Sequence, residues 1–99
     1  MPSSVVAAIV YDGWSQVMLK ALEQHGEDSH GWRQTLRVLD RLLWSVEPKP
    51  DPAARRDLLR RIPELLRRLR EQLAGVISDQ RLIARWLKEL QTLHIAVLR

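Results

Sequence analysis

Residues 58–77, LLRRIPELLRRLREQLAGVI, place nine apolar side chains along one stripe of a helix. At about 100° per residue, this stripe covers roughly a third of the helix circumference, which is the arc that a helix buries in a bundle. The stripe keeps its phase across Pro63, so we expect two nearly coaxial segments with a kink or break at that proline. The pattern predicts an all-α protein. The stripe consists of Leu58, Leu59, Ile62, Leu65, Leu66, Leu69, Leu73, Val76 and Ile77.

Capping residues predict two helices before this stripe. Asp12 is expected to start a helix that ends near Gly26, and Ser29 to start one that runs to about Val46. The earlier apolar run Val5–Tyr11 has no readable period, and a short separate helix is favoured there over an extended arm. The apolar face of the helix that follows Ser29 is predicted to hold Trp32, Leu36, Leu39, Leu42, Leu43 and Val46.

A proline-rich connector, EPKPDP at residues 47–52, separates these helices from the leucine stripe. Asp51 as cap and Pro52 at the first helical position restart the helix, and Ser78 is expected to cap a final helix over 79–98. The predicted fold is therefore a compact all-α bundle of about five or six helices. Residues 1–99 are expected to form a single helical domain.

Composition restricts the chemistry and the location of the chain. Cysteine is absent, which excludes disulfides, thiolate nucleophiles and cysteine zinc sites. The apolar run at the N-terminus is too short to span a membrane and has no preceding cationic segment, so we expect a cytoplasmic protein without a membrane partner. Residues 48–99 carry twelve Lys and Arg against six Asp and Glu, whereas residues 1–47 carry four against six.

Three residues of the predicted Ser29 helix are candidate contacts for a partner. Trp44 lies on the side of that helix away from its apolar stripe, near Arg37 and Arg41. Either the helix packs on two sides and buries the indole, or the indole is an exposed anchor flanked by guanidinium groups. A second apolar contact surface is predicted from the N-terminal run, at Val6, Ile9 and Val10. We expect these six residues to bind another protein or the rest of the parent chain; a second copy of the chain is an alternative partner.

The basic helix at 53–70 suggests an alternative function, the binding of an anion or a nucleic acid. Asp57, Glu64 and Glu71 lie three or four residues from arginines, as on a solvated helix face, so nucleic acid is the less favoured partner. The alternative anion-binding residues are Arg55, Arg56, Arg60 and Arg70.

Catalysis is not expected, since no set of titratable residues has the spacing that acid-base, nucleophilic or metal chemistry requires. The three histidines do not form a metal-binding pair, and His94 lies within an apolar stripe, where a hydrogen-bonded core residue is the usual outcome. We therefore predict a protein that is not an enzyme, with no catalytic residues, no metal and no cofactor.

Several landmarks together resemble a bacterial family, the domain-of-unknown-function family sixteen thirty-one. They are Trp14 at the start of a helix, GEDS at 26–29 followed by Trp32, LDRLLWSVEPK at 39–49, RRIPELLRRLREQL at 60–73 and LxxLH at 90–94. The resemblance implies that the chain is an internal helical fragment of a larger cytoplasmic protein. Many proteins of this family also carry a PilZ domain, the receptor module for cyclic di-GMP, which implies a regulatory role in that signalling pathway. The chain itself lacks the PilZ motif, and the family supplies no catalytic residues.

Overall fold

Residues 4–99 are described by a computed structural model, and they form four helices and no strand. The first helix, α1, contains three consecutive segments: α-helical Ser4–Ala8, π-helical Ile9–Trp14 and α-helical Ser15–His25. The others are α2 (His30–Ser45), α3 (Pro52–Ala74) and α4 (Gln80–Leu98). The all-α prediction is confirmed, and the predicted count of five or six helices is wrong.

Part of the difference in number comes from α1, which continues through the predicted start at Asp12. The side chain of Asp12 makes no capping hydrogen bond, because the residue lies inside the π-helical segment. The run Val5–Tyr11 shows no helical period because all of its residues are apolar, and it crosses from the α-helical into the π-helical segment. The helix ends at Gly26 as predicted, where a φ of 83° suits glycine.

The remainder of the difference comes from Pro63, where α3 is continuous and the predicted break is absent. Both Leu59 and Pro63 are exposed, so the carbonyl that lacks a donor lies on the solvent side of the helix. Water can satisfy a carbonyl there, and a helix that curves around a core is convex toward solvent on that side. The paired halves of the leucine stripe therefore pack as one helix.

Side-chain caps start three of the helices. The hydroxyl of Ser29 accepts from the Trp32 N–H at 3.1 Å, and Asp51 accepts from the Ala53 N–H at 3.0 Å, both as predicted. The predicted cap Ser78 is wrong by one residue. Asp79 instead accepts from the Arg81 and Leu82 N–H groups, at 3.0 and 3.2 Å. A carboxylate also interacts favourably with the positive end of the helix dipole, which favours this residue over serine.

One core joins all four helices. α1 contacts α2, α2 contacts α3, α3 contacts α4, and the N-terminal segment of α1 returns to α4. The indole N–H of Trp14 is fully buried and donates to the Thr35 carbonyl of α2 at 3.1 Å. The core comprises Val5, Ile9, Trp14, Val17, Val38, Leu42, Leu65, Leu69, Leu73, Ile83, Trp86, Leu87 and Leu90.

The buried face of α2 differs from the predicted apolar stripe. Its buried residues are Thr35, Val38, Leu42 and Ser45, of which only Leu42 belongs to the stripe. The other stripe residues are half-buried, apart from Leu43, which is exposed. The two buried hydroxyl residues make hydrogen bonds that compensate for the loss of water. Stripe residues that lie outside this buried face, such as Leu39, Leu43 and Val46, remain at least partly accessible at the surface.

By length and composition alone, Val5–His25 would pass as a helix able to cross a membrane. A core helix passes the same test. In this fold the helix buries Ile9, Trp14 and Val17 against the other three helices. About a third of Val5–His25 is buried in the bundle, so α1 contributes one face to the core.

A buried polar pair connects α2 and α4. Ser45 donates its hydroxyl proton to the Leu42 carbonyl at 2.7 Å, so its oxygen accepts from the Nε2–H of His94 at 2.9 Å. The other ring nitrogen of His94, Nδ1, is buried and has no partner among the described residues. Burial lowers the pKa of His94, and the nearby Lys49 lowers it further. The structure thus agrees with the prediction of a hydrogen-bonded core histidine.

Gly13 provides the first test of the core. A Cβ atom at this position would lie 2.7 Å from Leu73 Cδ2 and 2.9 Å from Trp86 Cζ3. We expect Gly13→Ala to lower the free energy of unfolding by about 1–3 kcal/mol, measured by urea denaturation, because packed core residues would have to move. The matched control is Gly75→Ala, since Gly75 has α-helical backbone angles and a Cβ there would lie 3.3 Å from the Nζ atom at the end of the long Lys20 side chain. Equal losses in the two variants would contradict the close packing at Gly13.

The pKa of His94 predicts how stability depends on pH. The lowered pKa of His94 in the folded state means that the folded protein takes up this proton at a lower pH than the unfolded chain, which takes it up near pH 6.5. The free energy of unfolding should therefore be greatest above that pH and fall as the pH is lowered from about 7.5 to 5.5. We expect His94→Gln to flatten this dependence in thermal melts, and the exposed His30→Gln to leave it unchanged. A slope that His94→Gln does not alter would contradict this assignment.

Candidate functional site: an apolar groove and an arginine cleft

An apolar groove of about 990 Å³ opens at one end of the bundle. Its walls come from the N-terminal half of α1, the C-terminal halves of α2 and α4, and the connector between α2 and α3. This volume reaches the upper end of the range usual for ligand pockets. The apolar residues in its lining are Val6, Ala7, Val10, Tyr11, Leu39, Leu43, Val46, Pro48, Pro50, Leu93, Ala96 and Val97.

Two large side chains of the groove are open to solvent. Tyr11 is 77% exposed and Leu43 is 43% exposed. Val6, Val10, Leu39 and other lining residues are half-buried against the core. An isolated exposed leucine is ordinary, but a continuous apolar concavity is typical of a binding surface. The groove is thus a candidate binding surface.

The connector wall is held in place by two cations. The ammonium of Lys49 donates to the carbonyls of Trp44 at 2.5 Å and Glu47 at 2.6 Å, which caps the C-terminal end of α2. The guanidinium of Arg55 donates to the carbonyls of Lys49 at 2.9 Å and Pro50 at 3.1 Å. Charged donors make strong hydrogen bonds, so the prolines of the connector are fixed relative to both helices.

Lys49 is unusual because it is a buried cation, with only 7% of its surface exposed. Burial lowers the pKa of its ammonium, and the negative charge of Glu47 raises it. The Nζ atom also lies 4.7 Å from the centre of the Trp44 ring, in a cation–π contact. The amine is committed to structure, since it holds the end of α2 and covers part of the Trp44 indole.

The charges in the lining of the groove have one sign. Lys49, Arg55 and Arg99 belong to the lining, and no aspartate or glutamate does among the described residues. The groove therefore combines an apolar body with a cationic edge. Electrostatic attraction favours an occupant that carries negative charge at the matching positions.

A second concave surface, the arginine cleft, lies between α2 and α3 and has a volume of about 410 Å³. Arg37, Arg41 and Trp44 line it from α2, so the structure brings the three predicted contacts together. Across the cleft, α3 contributes Arg60, a predicted anion-binding residue. Trp44 is half-buried, an outcome between the two alternatives of a core residue and an exposed anchor.

Most charges along α3 form ion pairs, as the sequence spacing predicted. Asp57 accepts from Arg60 at 2.8 Å and from Arg61 at 3.1 Å, and these hydrogen bonds lower the pKa of the Asp57 carboxyl. The pKa of Glu64 is lowered in the same way by Arg67 and Arg68. Glu71 also accepts from Arg67, and its hydrogen bond contributes with that of Glu64 to the raised pKa of this guanidinium. All these groups are exposed or half-exposed, so they add little to stability.

The other predicted site residues do not form one surface. Val6 and Val10 line the groove as expected, but Ile9 is fully buried in the core and is not a contact residue. This correction follows from the helical phase of α1, which turns Ile9 inward while Val6 and Val10 stay at the edge of the core. Arg55 holds the connector, whereas Arg56 and Arg70 are exposed further along α3. The four predicted anion-binding residues are therefore spread along the helix.

Sequence reasoning missed several residues of both surfaces. Leu39, Leu43 and Val46 were assigned to a buried stripe, and the width of that stripe was the available signal that α2 has a second apolar contact. Arg61 and Arg68 line the cleft although their pairing suggested a plain solvated face. In the residues that the structure describes, no three histidine or acidic side chains come close enough to hold a metal ion.

Residues 1–91 match the family described as "Protein of unknown function (DUF1631) third domain". Comparisons with curated proteins and with solved structures find no match. The family resemblance that rests on LDRLLWSVEPK and RRIPELLRRLREQL is thus confirmed, because the match covers most of the chain. The chain belongs to the DUF1631 family, in which it corresponds to the third domain.

Proposed function

We propose that this domain is a non-catalytic interaction module, and that its apolar groove receives an amphipathic helix with acidic residues from another domain of the same protein. The observation that carries the proposal is the groove itself, a continuous apolar concavity whose charged lining residues are all cationic in the described chain. The matching family model describes a third domain, so proteins of this family have other domains that could supply the helix.

The shape of the groove favours a helix as its occupant. α1, α2, α4 and the connector form most of its walls, and α3 adds Arg55. The hydrogen bonds of Lys49 and Arg55 hold the connector against α2 and α3. An amphipathic helix binds such a groove through apolar residues spaced three and four apart. Leu43 and Tyr11 would supply exposed apolar contacts, while Val6, Val10 and Leu39 would form the floor.

The cationic edge sets the orientation and chemistry of the partner. Arg99 and Arg55 would face acidic side chains at one edge of the incoming helix. Charged rims of this kind contribute to specificity and association rate more than to affinity. The main favourable contribution would come from burial of the leucine and tyrosine side chains, and the cost of association and side-chain ordering offsets part of it.

We propose that this module is cytoplasmic, has a regulatory role in cyclic di-GMP signalling, as the family resemblance implies, and has no membrane partner. The absence of a catalytic role is supported by the burial of Ser45 and His94, whose hydrogen bond joins two helices inside the core. A second copy of the chain is the alternative occupant of the groove.

Photo-cross-linking in the full-length protein tests which peptide binds in the groove. A benzophenone amino acid placed at Leu43 or at Val10, both in the groove, should form an adduct with the same peptide of another domain. That peptide should have an amphipathic helical pattern and carry aspartate or glutamate, as identified by mass spectrometry. Both positions report one site because they line one groove.

The matched control places the same amino acid at Leu59. This leucine is 60% exposed on α3 and lies outside the groove, so we expect no defined adduct there. A Leu43→Glu substitution should suppress the adduct formed at Val10, since it introduces a like charge against the acidic helix, whereas Leu59→Glu should not. Adducts with a second copy of this domain, or equal labelling at Leu43 and Leu59, would overturn the proposal.

A further inference from the structure

We propose that the arginine cleft between α2 and α3 binds a small phosphate ester that also carries a planar ring. This site is separate from the apolar groove, and its ligand is a small molecule. The proposal rests on an excess of guanidinium groups, an apolar floor and an indole ring within one concave surface.

The charge balance of the cleft is the first argument. Five arginines line it, namely Arg37, Arg41, Arg60, Arg61 and Arg68. The carboxylates in the cleft and at its rim are Asp40, Asp57 and Glu64. The surface thus retains two positive charges in excess, which matches an anion of about two negative charges.

The pairing pattern shows which arginines are available. Asp57 binds Arg60 and Arg61, and Glu64 binds Arg68, all on α3. Arg37 and Arg41 are exposed and make no ion pair within the described residues. Because they are four residues apart on α2, they lie on one face and repel each other unless an anion lies between them. Guanidinium groups bind phosphate through paired hydrogen bonds, so these two arginines form a natural clamp.

The floor of the cleft determines what carries the phosphate. Val38, Leu58 and Leu65 are buried there, and half-buried Trp44 presents an aromatic ring at the side. A fully hydrated ion such as free phosphate would gain nothing from these apolar groups. A planar ring could stack on the indole and cover the floor while its phosphate groups reach the arginines. The volume of about 410 Å³ suits a small molecule.

A nucleic-acid strand is the less favoured ligand on the same observations. A strand needs a continuous row of available cations along its backbone. Between Arg60 and Arg68, the cations of α3 are paired with carboxylates, and the available pair on α2 spans only one helical turn. The cleft therefore fits one or two phosphate groups at a single position.

Calorimetric titration with three probes tests the two halves of the proposed ligand. Adenosine diphosphate carries phosphate and ring, inorganic pyrophosphate carries phosphate alone, and adenosine carries the ring alone. We expect adenosine diphosphate to bind more tightly than pyrophosphate and adenosine to show no measurable binding. A single-stranded oligonucleotide of the same base distinguishes a nucleic acid from a free small molecule as the source of this chemistry.

The double variant R37Q/R41Q should raise the Kd of adenosine diphosphate about tenfold or more, since it removes the charged donors of the clamp. The control R56Q/R70Q removes the same charge from exposed positions of α3 outside the cleft and should change the Kd by less than about twofold. Circular dichroism should show both variants folded, because all four side chains are exposed.

Three results would overturn the proposal. The first is no binding of adenosine diphosphate or pyrophosphate at millimolar concentration. The second is an equal loss of affinity in R37Q/R41Q and R56Q/R70Q, which would indicate a diffuse attraction. The third is tighter binding of the oligonucleotide than of adenosine diphosphate, with a steep dependence on salt.

Discussion

The close approach of α1 to α3 and α4 at Gly13 is the constraint on which the rest of the bundle depends. A Cβ atom on this backbone would lie less than 3 Å from the side chains of Leu73 and Trp86, so those side chains would have to move. The neighbouring Trp14 is then fully buried, with its indole N–H bound to the Thr35 carbonyl of α2. Two adjacent residues therefore connect α1 to the other three helices. The π-helical turn lies at this point, and it sets which residues of α1 face the core on each side of the junction.

The connector has a comparable role for the two binding surfaces. Lys49 holds the carbonyl end of α2 and covers part of the Trp44 ring, while Arg55 holds the connector from α3. The connector forms a wall of the apolar groove. The Trp44 side chain lines the arginine cleft, and Lys49 binds the backbone carbonyl of the same residue. Buried cations are costly unless they are hydrogen-bonded, and Lys49 binds the carbonyls of Trp44 and Glu47. The Trp44 carbonyl also accepts from the Glu47 N–H, at 3.1 Å. The C-terminal end of α2 thus both stabilises the connector and contributes residues to the two proposed binding surfaces.

Sequence patterns gave correct results where a local rule decides the structure. The caps at Ser29 and Asp51, the glycine end at Gly26 and the ion pairs of Asp57 and Glu64 depend on residues within four positions of each other. The expected helix start at Asp12, the expected break at Pro63 and the expected cap at Ser78 were wrong for two reasons. At each position the local rule was sound, but packing of the whole helix, or a better cap one residue later, had a larger effect.

The sequence by itself determined that the protein is all-helical, where α2 and α3 begin, and which family it belongs to, because helical periods and capping residues are local features. Only the tertiary structure decided which apolar residues are core and which are surface. A stripe on α2 cannot show that Leu42 is buried while Leu43 lines an open groove, since that depends on where α1 and α4 lie. The arginine cleft, too, is formed only by the packing of the helices. Arg37 and Arg60 are distant in sequence, and the packing of α2 against α3 brings them to one surface.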